Sequence, residues 1–434
     1  MVPRPRPVAR TSPWDAAAVV LLAAGLYIGA GTLGAYLARD DFNWLIDARD
    51  VSVWHAFVLK ARAHFYRPVV EVWWVGATQV CGTSVACYHL LELLLHVANG
   101  VLLLFLTARV FGRRDVALAS ALIFVVIPSY VEAVLWVCAV TTAFGAFWYL
   151  VTLHFALTAA RDPAKRAAFW ACLACAAAAM YSHEATATLL ATIPLVAWSA
   201  GVVRRPRLAE VVPFALLVGA LATTTIAANR RNYVFAEGHY AAGTHAIGHA
   251  VDYLRSLYVG SGSVPELTIV AVCVVLIVLR GNRPMRAGLL WMIVTMPPYL
   301  WFTWGNVGRY TYLPAMGFTW ILAGAVTAAR DAIDRRVPSR APLGTVAAVF
   351  LVTAIAGRYI AFTQRAIKGQ VRWMETYRAY GDRVVPQLPA TADEVVVPPP
   401  DDPGVEREFV APMLSWRTNR PGLRVRFTDP PGRQ

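Results

Sequence analysis

The sequence predicts an all-α polytopic membrane protein with about eleven transmembrane helices and additional short helices in its external loops. The first observation is composition: of 434 residues, 58% are hydrophobic and only 15% are charged, with a mean hydropathy of +0.50. Soluble domains carry about 25% charged residues. Lipid suits this composition, because about 20 apolar residues cross the hydrocarbon as a helix that closes its own backbone hydrogen bonds. The second observation is that basic loops alternate along the chain.

The apolar segments are long enough to be assigned as spans one by one. A further apolar stretch, 69–80, is expected to form a re-entrant or interfacial helix. The predicted spans are 15–38, 86–107, 116–134, 139–159, 167–182, 185–200, 209–228, 265–280, 287–304, 311–328 and 342–362.

The loops predict the orientation of these spans. Five short loops are rich in arginine, and each follows an even number of spans when the N-terminus is cytoplasmic; they are 108–115, 161–166, 203–208, 280–286 and 329–340. This pattern obeys the positive-inside rule. It also explains the net charge of +14, because the arginines form no continuous stripe. We therefore expect membrane lipids as partners and no nucleic acid.

The two ends of the chain carry separate signals. Met1 to Trp14 contains three arginines ahead of a long apolar run, which predicts a retained first helix rather than a cleaved signal peptide. The segment 363–434 is expected to be an extracytoplasmic tail, in which Arg358 to Arg383 forms a helix on the membrane surface.

Six cysteines give little indication of metal or redox chemistry. Cys172 and Cys175 have CxxC spacing but lie inside a predicted span, where they are expected to act as small hydrophobic residues. Cys81 and Cys87 lie in or near an external loop, and a disulfide between them is an open alternative.

Several polar residues fall on the predicted external side. Asp40 and Asp41 follow the first span, where mutual repulsion and partial desolvation would suit one of them to act as a general base; a solvated helix cap is the alternative. Arg67 belongs to the same loop, and Glu132 lies at the external end of a span. His183 and Glu184 interrupt an apolar stretch and are only a weak zinc signature.

Other polar residues on this side are histidines and arginines. His89 and His96 share one face of the second span, where buried structural histidines are more common than ligands. Arg309 and Tyr310 enter the tenth span, and a guanidinium there would grip a phosphate. Arg230 and Arg231 are second candidates for the same role. Snorkelling of these arginines to the interface is the alternative.

Taken in order, these segments resemble the polyprenyl-phosphate-sugar-dependent glycosyltransferases of the GT-C fold. The closest likeness is to the branch of the TMTC-type and protein O-mannosyltransferases. The resemblance covers about residues 15–330 and consists of Asp40-Asp41-Phe42-Asn43, Tyr66-Arg67-Pro68, Tyr88-His89-Leu90 through His96, Pro128 through Val134, His183-Glu184, and Arg309-Tyr310 with Tyr312-Leu313-Pro314.

The resemblance implies an enzyme that transfers a sugar, with inversion, from a polyprenyl phosphate to an acceptor hydroxyl on a protein, lipid or glycan. Asp40 resembles the base and Asp41 its orienting partner, although the reverse assignment stays open. Arg309 resembles the residue that grips the donor phosphate. Residues 1–362 would form the catalytic transmembrane domain, in which Glu132 and Glu184 line the cavity together with Arg67, His89, His183 and Tyr310.

Two departures from the family refine this expectation. His183 occupies a position that is usually lysine, and the tail lacks tetratricopeptide repeats. A bacterial enzyme in the inner (plasma) membrane, with an extracytoplasmic active site, fits these departures. No cofactor is expected; a divalent ion held by Asp40 or Asp41 is an open alternative. The absence of a Gly-rich phosphate loop argues against a nucleotide-sugar donor.

Two other functions compete with sugar transfer. A transporter or flippase of lipid-linked saccharides would need charges deep within several helices or duplicated halves, whereas the polar residues here cluster near one face. A polymerase or ligase of surface polysaccharide would use arginines in a large external loop. The loop 229–264 keeps that alternative open with Arg230, Arg231, His239, His245 and His249.

Overall fold

The computed structural model describes residues 9–49, 51–59, 65–202, 207–305, 307–337 and 343–428, apart from the side chain of Arg230. Within these ranges the chain forms eighteen α-helices, several 3-10 turns and two short strands. They are α1 (Pro13–Gly29), α2 (Asp40–Arg49), α3 (Pro68–Cys81), α4 (Val85–Phe111), α5 (Arg114–Phe124), α6 (Glu132–Leu135), α7 (Val140–Arg161), α8 (Arg166–Met180), α9 (Leu189–Ser199), α10 (Leu208–Ala228), α11 (Tyr233–Ala236), α12 (His245–Tyr258), α13 (Val264–Arg280), α14 (Arg283–Thr295), α15 (Pro297–Leu300), α16 (Tyr312–Arg336), α17 (Leu343–Val384), β1 (Glu394–Val397), α18 (Val410–Thr418) and β2 (Arg424–Phe427).

The predicted all-α membrane class is confirmed. Among the described residues, five helical segments are long and apolar enough to cross a bilayer, and α1 and α8 are shorter apolar helices. The five are Val85–Phe111, Val137–Arg161, Leu208–Ala228, Gly308–Arg336 and Leu343–Gln387. The protein is therefore an integral membrane protein, while the total of eleven spans stays a prediction.

Prolines divide two of the predicted spans. The segment 116–134 begins as α5, breaks at Phe124, and continues as a 3-10 turn from Pro128 and then as α6. The segment 287–304 is likewise divided between α14 and the single turn of α15, which begins at Pro297. Proline causes such breaks because it lacks the N–H that the helix requires and clashes with the preceding turn.

Glycines allow α14 and α16 to pack closely in the interior. A Cβ atom at Gly288 would lie 2.3 Å from the carbonyl oxygen of Gly317, and a Cβ atom at Gly317 would lie 2.5 Å from that of Gly288. Small residues serve this purpose in membrane interiors, where helices associate through close van der Waals contact. The other main helix pairs in the bundle are α7 with α8 and α4 with α5.

Ion pairs join three helices at one end of the bundle. Arg114 donates to both carboxylate oxygens of the buried Asp15 at 2.7 and 2.8 Å, which connects the first turns of α1 and α5. Arg113 and Arg330 share the carboxylates of Asp115 and Asp331, which connects α5 to the last turns of α16. Asp15 is the first residue of the first predicted span, and the other residues come from two of the basic loops that were predicted to lie on the same side.

The last helix differs from the prediction. We expected a span at 342–362 followed by a separate surface helix, but α17 is one helix of 42 residues, about 63 Å long at 1.5 Å per residue. The sequence from 343 to 384 contains no proline that would interrupt the helix. Ile367, Met374 and Tyr377 in its second half are fully buried. The boundary at residue 362 therefore falls inside a continuous element.

The predicted short helix at 69–80 is present as α3. A disulfide joins Cys81 at the end of α3 to Cys87 in the first turn of α4. Cys172 and Cys175 are free thiols within α8.

We expect Gly288→Ala and Gly317→Ala each to lower the thermal unfolding midpoint in detergent, because forcing the helices apart costs about 1–3 kcal/mol. Gly219→Ala is the matched control: it lies in α10, and a Cβ atom there would meet nothing within 4 Å. Alanine at that position should leave the midpoint unchanged or raise it, since glycine weakens helices. Equal midpoints for all three variants would contradict the close packing.

Candidate active site

A cavity of about 340 Å³ lies where α2 and α16 begin. This is the opposite end of α16 from the ion-pair cluster, about 37 Å away for a helix of 25 residues. Its polar and charged lining residues are Asp40, Arg67, Glu71, Thr141, Thr142, His183, Glu184, Thr225 and Arg309. Its aromatic lining residues are Trp44, Phe65, Trp74, Trp136, Tyr233, Phe235, Tyr240, Tyr299, Phe302, Trp304 and Tyr310.

Asp40 is the first residue of α2, and its side chain is partly buried at the cavity wall. A helix N-terminus stabilises a carboxylate because the backbone dipoles place partial positive charge there. The preceding residue, Arg39, has φ of 51°, a left-handed conformation that is uncommon for residues other than glycine. The turn into α2 therefore has an unusual backbone directly before the candidate base.

Asp41 lies outside the cavity lining and is fully buried. Its Oδ2 accepts the backbone N–H of Ala38 at 3.0 Å, and its Oδ1 accepts the backbone N–H of Cys138 at 2.6 Å. The indole N–H of Trp136 donates to the carbonyl of Ala38 at 3.2 Å. The first bond is local, and the other two join the start of α2 to the chain before α7. The structure thus separates the acidic pair, with Asp40 at the cavity and Asp41 inside the fold.

Burial raises the pKa of Asp41 to about 8, despite the two backbone hydrogen bonds that lower it. The nearby Asp40 carboxylate contributes to this rise of the pKa. Both effects oppose a second negative charge beside the cavity.

Arg309 lies in a 3-10 turn, Gly308–Thr311, that leads into α16. Its Nη1 donates to Glu132 Oε1 at 2.5 Å, and its guanidinium lies 5.0 Å from the ring of Trp136 and 5.2 Å from that of Tyr310. Gly308 fits against the carbonyl oxygen of Ser129, which would lie 2.0 Å from an added Cβ atom. Glu132 is thus a partner of Arg309 behind the lining, whereas it was predicted to line the cavity itself.

Arg67 and Glu184 form the second ion pair of the cavity. The guanidinium donates through Nε to Oε1 at 3.2 Å and through Nη2 to Oε2 at 2.8 Å. The two residues are 117 positions apart in the chain. This fork geometry holds both side chains in fixed orientations.

His183 lines the cavity next to this pair. Its Nδ1 accepts the backbone N–H of Ala185 at 3.2 Å and lies 3.9 Å from Glu184 Oε2. Burial lowers the pKa of His183 well below its ordinary range, and the charges of Arg67 and Arg309 lower it further. His183 is therefore neutral at physiological pH, with Nδ1 as an acceptor.

Two predicted site residues do not line the cavity, and the side chain of a third lies outside the described part of the chain. His89 is buried within α4, where Nε2 bonds the carbonyl of Tyr36 at 3.3 Å, so its assignment to the cavity is corrected. It shares the α4 face with His96, and that face points into the bundle. Arg231 is exposed and does not line the cavity. The side chain of Arg230 lies outside the described residues.

The aromatic wall was not predicted. Tyr299 stacks on Tyr310 with centroids 4.7 Å apart, Phe302 stacks on Tyr310 at 5.3 Å, and Phe302 stacks on Trp304 at 4.6 Å. The run of aromatic residues between 299 and 312 was a signal that could have found this wall. Glu71 was also missed, although it lies four residues after Arg67 and therefore on the same helical face.

The comparisons with solved structures identify the fold. The crystal structure of ArnT from Cupriavidus metallidurans, bound to undecaprenyl phosphate, matches with a TM-score of 0.54 and 12% identity. The match covers 96% of this chain and 90% of that chain, and ArnT is a GT-C fold glycosyltransferase. The chain has the GT-C fold.

A second protein was found in the same comparison. The oligosaccharyltransferase of Archaeoglobus fulgidus, crystallised with a tethered acceptor peptide and in the apo form, gives a TM-score of 0.49 and 12% identity. It matches 85% of this chain, which spans only 56% of the length of that protein. No model of a known protein family and no curated protein matches the sequence. The likeness to the TMTC-type branch therefore stays a prediction within the GT-C fold.

In this GT-C chain, no group of three or more His, Cys, Asp or Glu side chains is placed to hold a metal ion among the residues that the structure describes. Asp41 in particular already uses both oxygens as acceptors for backbone N–H groups. This disfavours Asp41 as a metal ligand and leaves Asp40 as the carboxylate of the pair that could hold an ion.

We expect the contribution of Asp41 to the stability of the protein to fall as the pH rises from 6.5 to 8. Between its ordinary pKa near 4 and its folded pKa of about 8, Asp41 keeps a proton that the unfolded chain releases, so each pH unit lowers the free energy of unfolding. Over this window the loss should be about 1–2 kcal/mol. Neutral buried histidines give an opposite slope that persists for about one pH unit above their ordinary pKa of 6.5, so the fall is measured as the difference between the wild type and a variant that lacks the Asp41 carboxyl group.

The Asp41→Asn variant is the control for this slope. Its amide cannot accept both backbone N–H groups, so its midpoint should be lower than that of the wild type, and the gap between the two midpoints should narrow as the pH rises from 6.5 to 8. Thermal unfolding followed by tryptophan fluorescence at several pH values measures both effects. The same pH slope in wild type and variant would exclude Asp41 as the titrating group.

Proposed function

We propose that this protein is a membrane glycosyltransferase that moves a sugar from a polyprenyl-phosphate donor to an acceptor hydroxyl on the extracytoplasmic side. The observation that carries the proposal is that Asp40 and Arg309, which are 269 positions apart, line one cavity. A carboxylate that can accept a proton and a guanidinium that can hold a phosphate are the two groups that this reaction requires. The GT-C fold supports the same chemistry.

In the proposed reaction Asp40 accepts the proton of the acceptor hydroxyl. The acceptor oxygen then attacks the anomeric carbon from the face opposite the phosphate, so that a new glycosidic C–O bond forms as the old C–O(phosphate) bond breaks. The electron pair of the old bond leaves on the polyprenyl phosphate, and the configuration at the anomeric carbon is inverted. General base catalysis of this kind contributes about 10²–10⁴ in rate.

Arg309 is suited to stabilise the charge that develops on the leaving phosphate. Its guanidinium carries five N–H donors, and the ion pair with Glu132 uses Nη1. The rings of Trp136 and Tyr310 flank the guanidinium. In such a water-poor site a fixed cation is worth more than in bulk water.

The rest of the cavity suits a lipid-linked sugar. The aromatic wall offers an apolar surface beside the charged groups, and sugars and prenyl chains both bind such surfaces. Loop 229–264 supplies aromatic residues to this wall, namely Tyr233, Phe235 and Tyr240. It does not bring Arg231 to the cavity lining, which weakens the polymerase or ligase alternative.

The alternation of basic loops supports the extracytoplasmic placement of the cavity. The predicted cytoplasmic residues Asp15, Arg114 and Arg330 take part in ion pairs at the opposite end of the bundle. The topology is measured by the accessibility to a membrane-impermeant thiol reagent of single cysteines introduced at Glu237 and Asp162. Labelling at 162 rather than at 237 in sealed cells would reverse the proposed orientation.

We expect Asp40→Asn to lower the release of polyprenyl phosphate by a factor of about 100 or more, with little change in donor affinity. The assay uses purified protein in nanodiscs, a panel of radiolabelled polyprenyl-phosphate sugars, and lipid, glycan or peptide acceptors. Asp162→Asn, an exposed carboxylate at the other end of the bundle, is the matched control. Release by Asp40→Asn at the wild-type rate would exclude Asp40 as the base.

We expect Arg309→Gln to weaken the binding of undecaprenyl phosphate by at least about tenfold, because a charge-assisted contact is lost. The variant leaves Glu132 without its partner, so the double variant Arg309→Gln/Glu132→Gln separates loss of binding from local misfolding. Arg166→Gln, which removes an exposed arginine at the start of α8, is the control. Titration followed by tryptophan fluorescence measures the affinity, and unchanged affinity in both variants would remove the phosphate role.

Protein that binds these donors and moves them between leaflets of a vesicle without transferring sugar would favour the flippase alternative. The same panel of donors in sealed vesicles tests this directly.

A further inference from the structure

The tail of the chain contains a small folded unit, residues 394–427, which we call the C-terminal unit. Strands β1 and β2 pair in parallel from Glu394 with Arg424 to Val397 with Phe427, and α18 connects them. Met413 and Leu414 of α18 are fully buried. The unit is thus a folded body that was not anticipated from the proline-rich sequence.

The C-terminal unit contacts the helix that carries the candidate base. At the end of α2, Arg49 donates to Asn419 Oδ1 at 3.1 Å, and its guanidinium lies 3.6 Å from the ring centroid of Trp416. At the start of α2, Arg39 forms an ion pair with Glu406. Both ends of this helix of ten residues are therefore held by the unit.

α17 supports the same end of α2. The guanidinium of Arg39 lies 5.2 Å from the ring of Trp373, and Phe42 packs against Tyr377 with centroids 6.0 Å apart. Tyr377 is fully buried. The start of α2 is therefore enclosed by a helix and by the C-terminal unit that follows it.

The backbone of Arg39 makes this enclosure significant. Its φ of 51° is one of three positive values at non-glycine residues in the described chain, and it directly precedes Asp40. A left-handed residue other than glycine is strained, and it persists when its surroundings hold it. The side chain of Arg39 is held by Glu406 of the C-terminal unit and by Trp373 of α17. Through the contact with Glu406, the C-terminal unit can hold the backbone of Arg39.

We propose that the ion pair between Arg39 and Glu406 is a positioning clamp through which the C-terminal unit fixes the orientation of Asp40. Arg39 and Glu406 are positioning residues, since both act through the turn that begins α2. The proposal rests on the proposed function, because it assigns the clamp to the same base. A misplacement of about 1 Å in a catalytic group can lower a rate about 100-fold, so a modest contact can have a large effect on turnover.

The test compares Glu406→Gln with Glu394→Gln in the full-length protein. Glu394 pairs with Arg426 inside the C-terminal unit, so its variant removes a carboxylate ion pair of the same unit without touching α2. We expect Glu406→Gln to lower turnover at saturating donor about tenfold while leaving the affinity for undecaprenyl phosphate unchanged. Hydrogen exchange of the peptide 38–45 should become faster in Glu406→Gln and remain at the wild-type rate in Glu394→Gln.

Two further variants separate the clamp from general damage to the fold. The charge exchange Arg39→Glu/Glu406→Arg should recover most of the turnover that Glu406→Arg alone loses. Arg39→Gly adopts the left-handed backbone without cost but lacks the clamp, so it should resemble Glu406→Gln. Wild-type turnover in Arg39→Gly would show that the backbone alone positions Asp40, and would overturn the clamp.

The two proposals fail in different ways. Wild-type protein that transfers no sugar from any donor of the panel would refute the proposed function, and with it the catalytic purpose of the clamp. An active wild type whose Glu406→Gln variant exchanges amides at 38–45 no faster than Glu394→Gln would refute the clamp alone. Faster exchange with turnover equal to Glu394→Gln would also refute it, since the contact would then support structure without positioning the base.

Discussion

The buried carboxyl group of Asp41 holds together the two parts of the chain on which the cavity depends. Backbone N–H groups at the edge of a bilayer need acceptors, because an unpaired buried donor costs about 1–3 kcal/mol. Asp41 supplies acceptors to Ala38, in the segment before α2, and to Cys138, in the segment before α7. The first segment carries Asp40, and the second lies beside Trp136, which packs on Arg309. A structural carboxyl group therefore connects the segment that carries the candidate base to the segment that packs on the candidate phosphate ligand.

The arginines of the cavity are held by carboxylates, and this arrangement explains how they can remain charged in a water-poor site. Burying an isolated charge is costly because the charge loses its hydration. A charged partner offsets part of this cost through direct attraction. Arg67 binds Glu184 through a fork of hydrogen bonds, while the contact from Arg309 to Glu132 uses a single nitrogen. The fork leaves fewer donors for a ligand. Of the two, Arg309 is thus better placed to bind an anion, and Arg67 to shape the wall.

The sequence was sufficient for the membrane class, for most helix positions, and for the residues that meet at one end of the bundle, because alternation of basic loops determines which helix ends share a side. The sequence could not predict which of the two side chains, Asp40 or Asp41, faces the cavity. Adjacent residues on a helix point about 100° apart, and which one faces the cavity depends on packing from distant segments. It misassigned His89 for the same reason: the helical face was correct, but the face points into the bundle. The sequence also could not predict the ion-pair partner of Arg309, since Glu132 lies 177 positions away in the chain.

The two ends of α16 show why residue type alone does not predict an anion site. At one end Arg113 and Arg330 share the carboxylates of Asp115 and Asp331, so that each charge is satisfied within the protein. At the other end Arg309 has one carboxylate partner and borders open volume. The same guanidinium chemistry therefore stabilises helix packing at the first end of α16 and provides a candidate binding group at the second end. What differs is the ratio of acceptors to donors and the space left beside them, and both are properties of the folded chain.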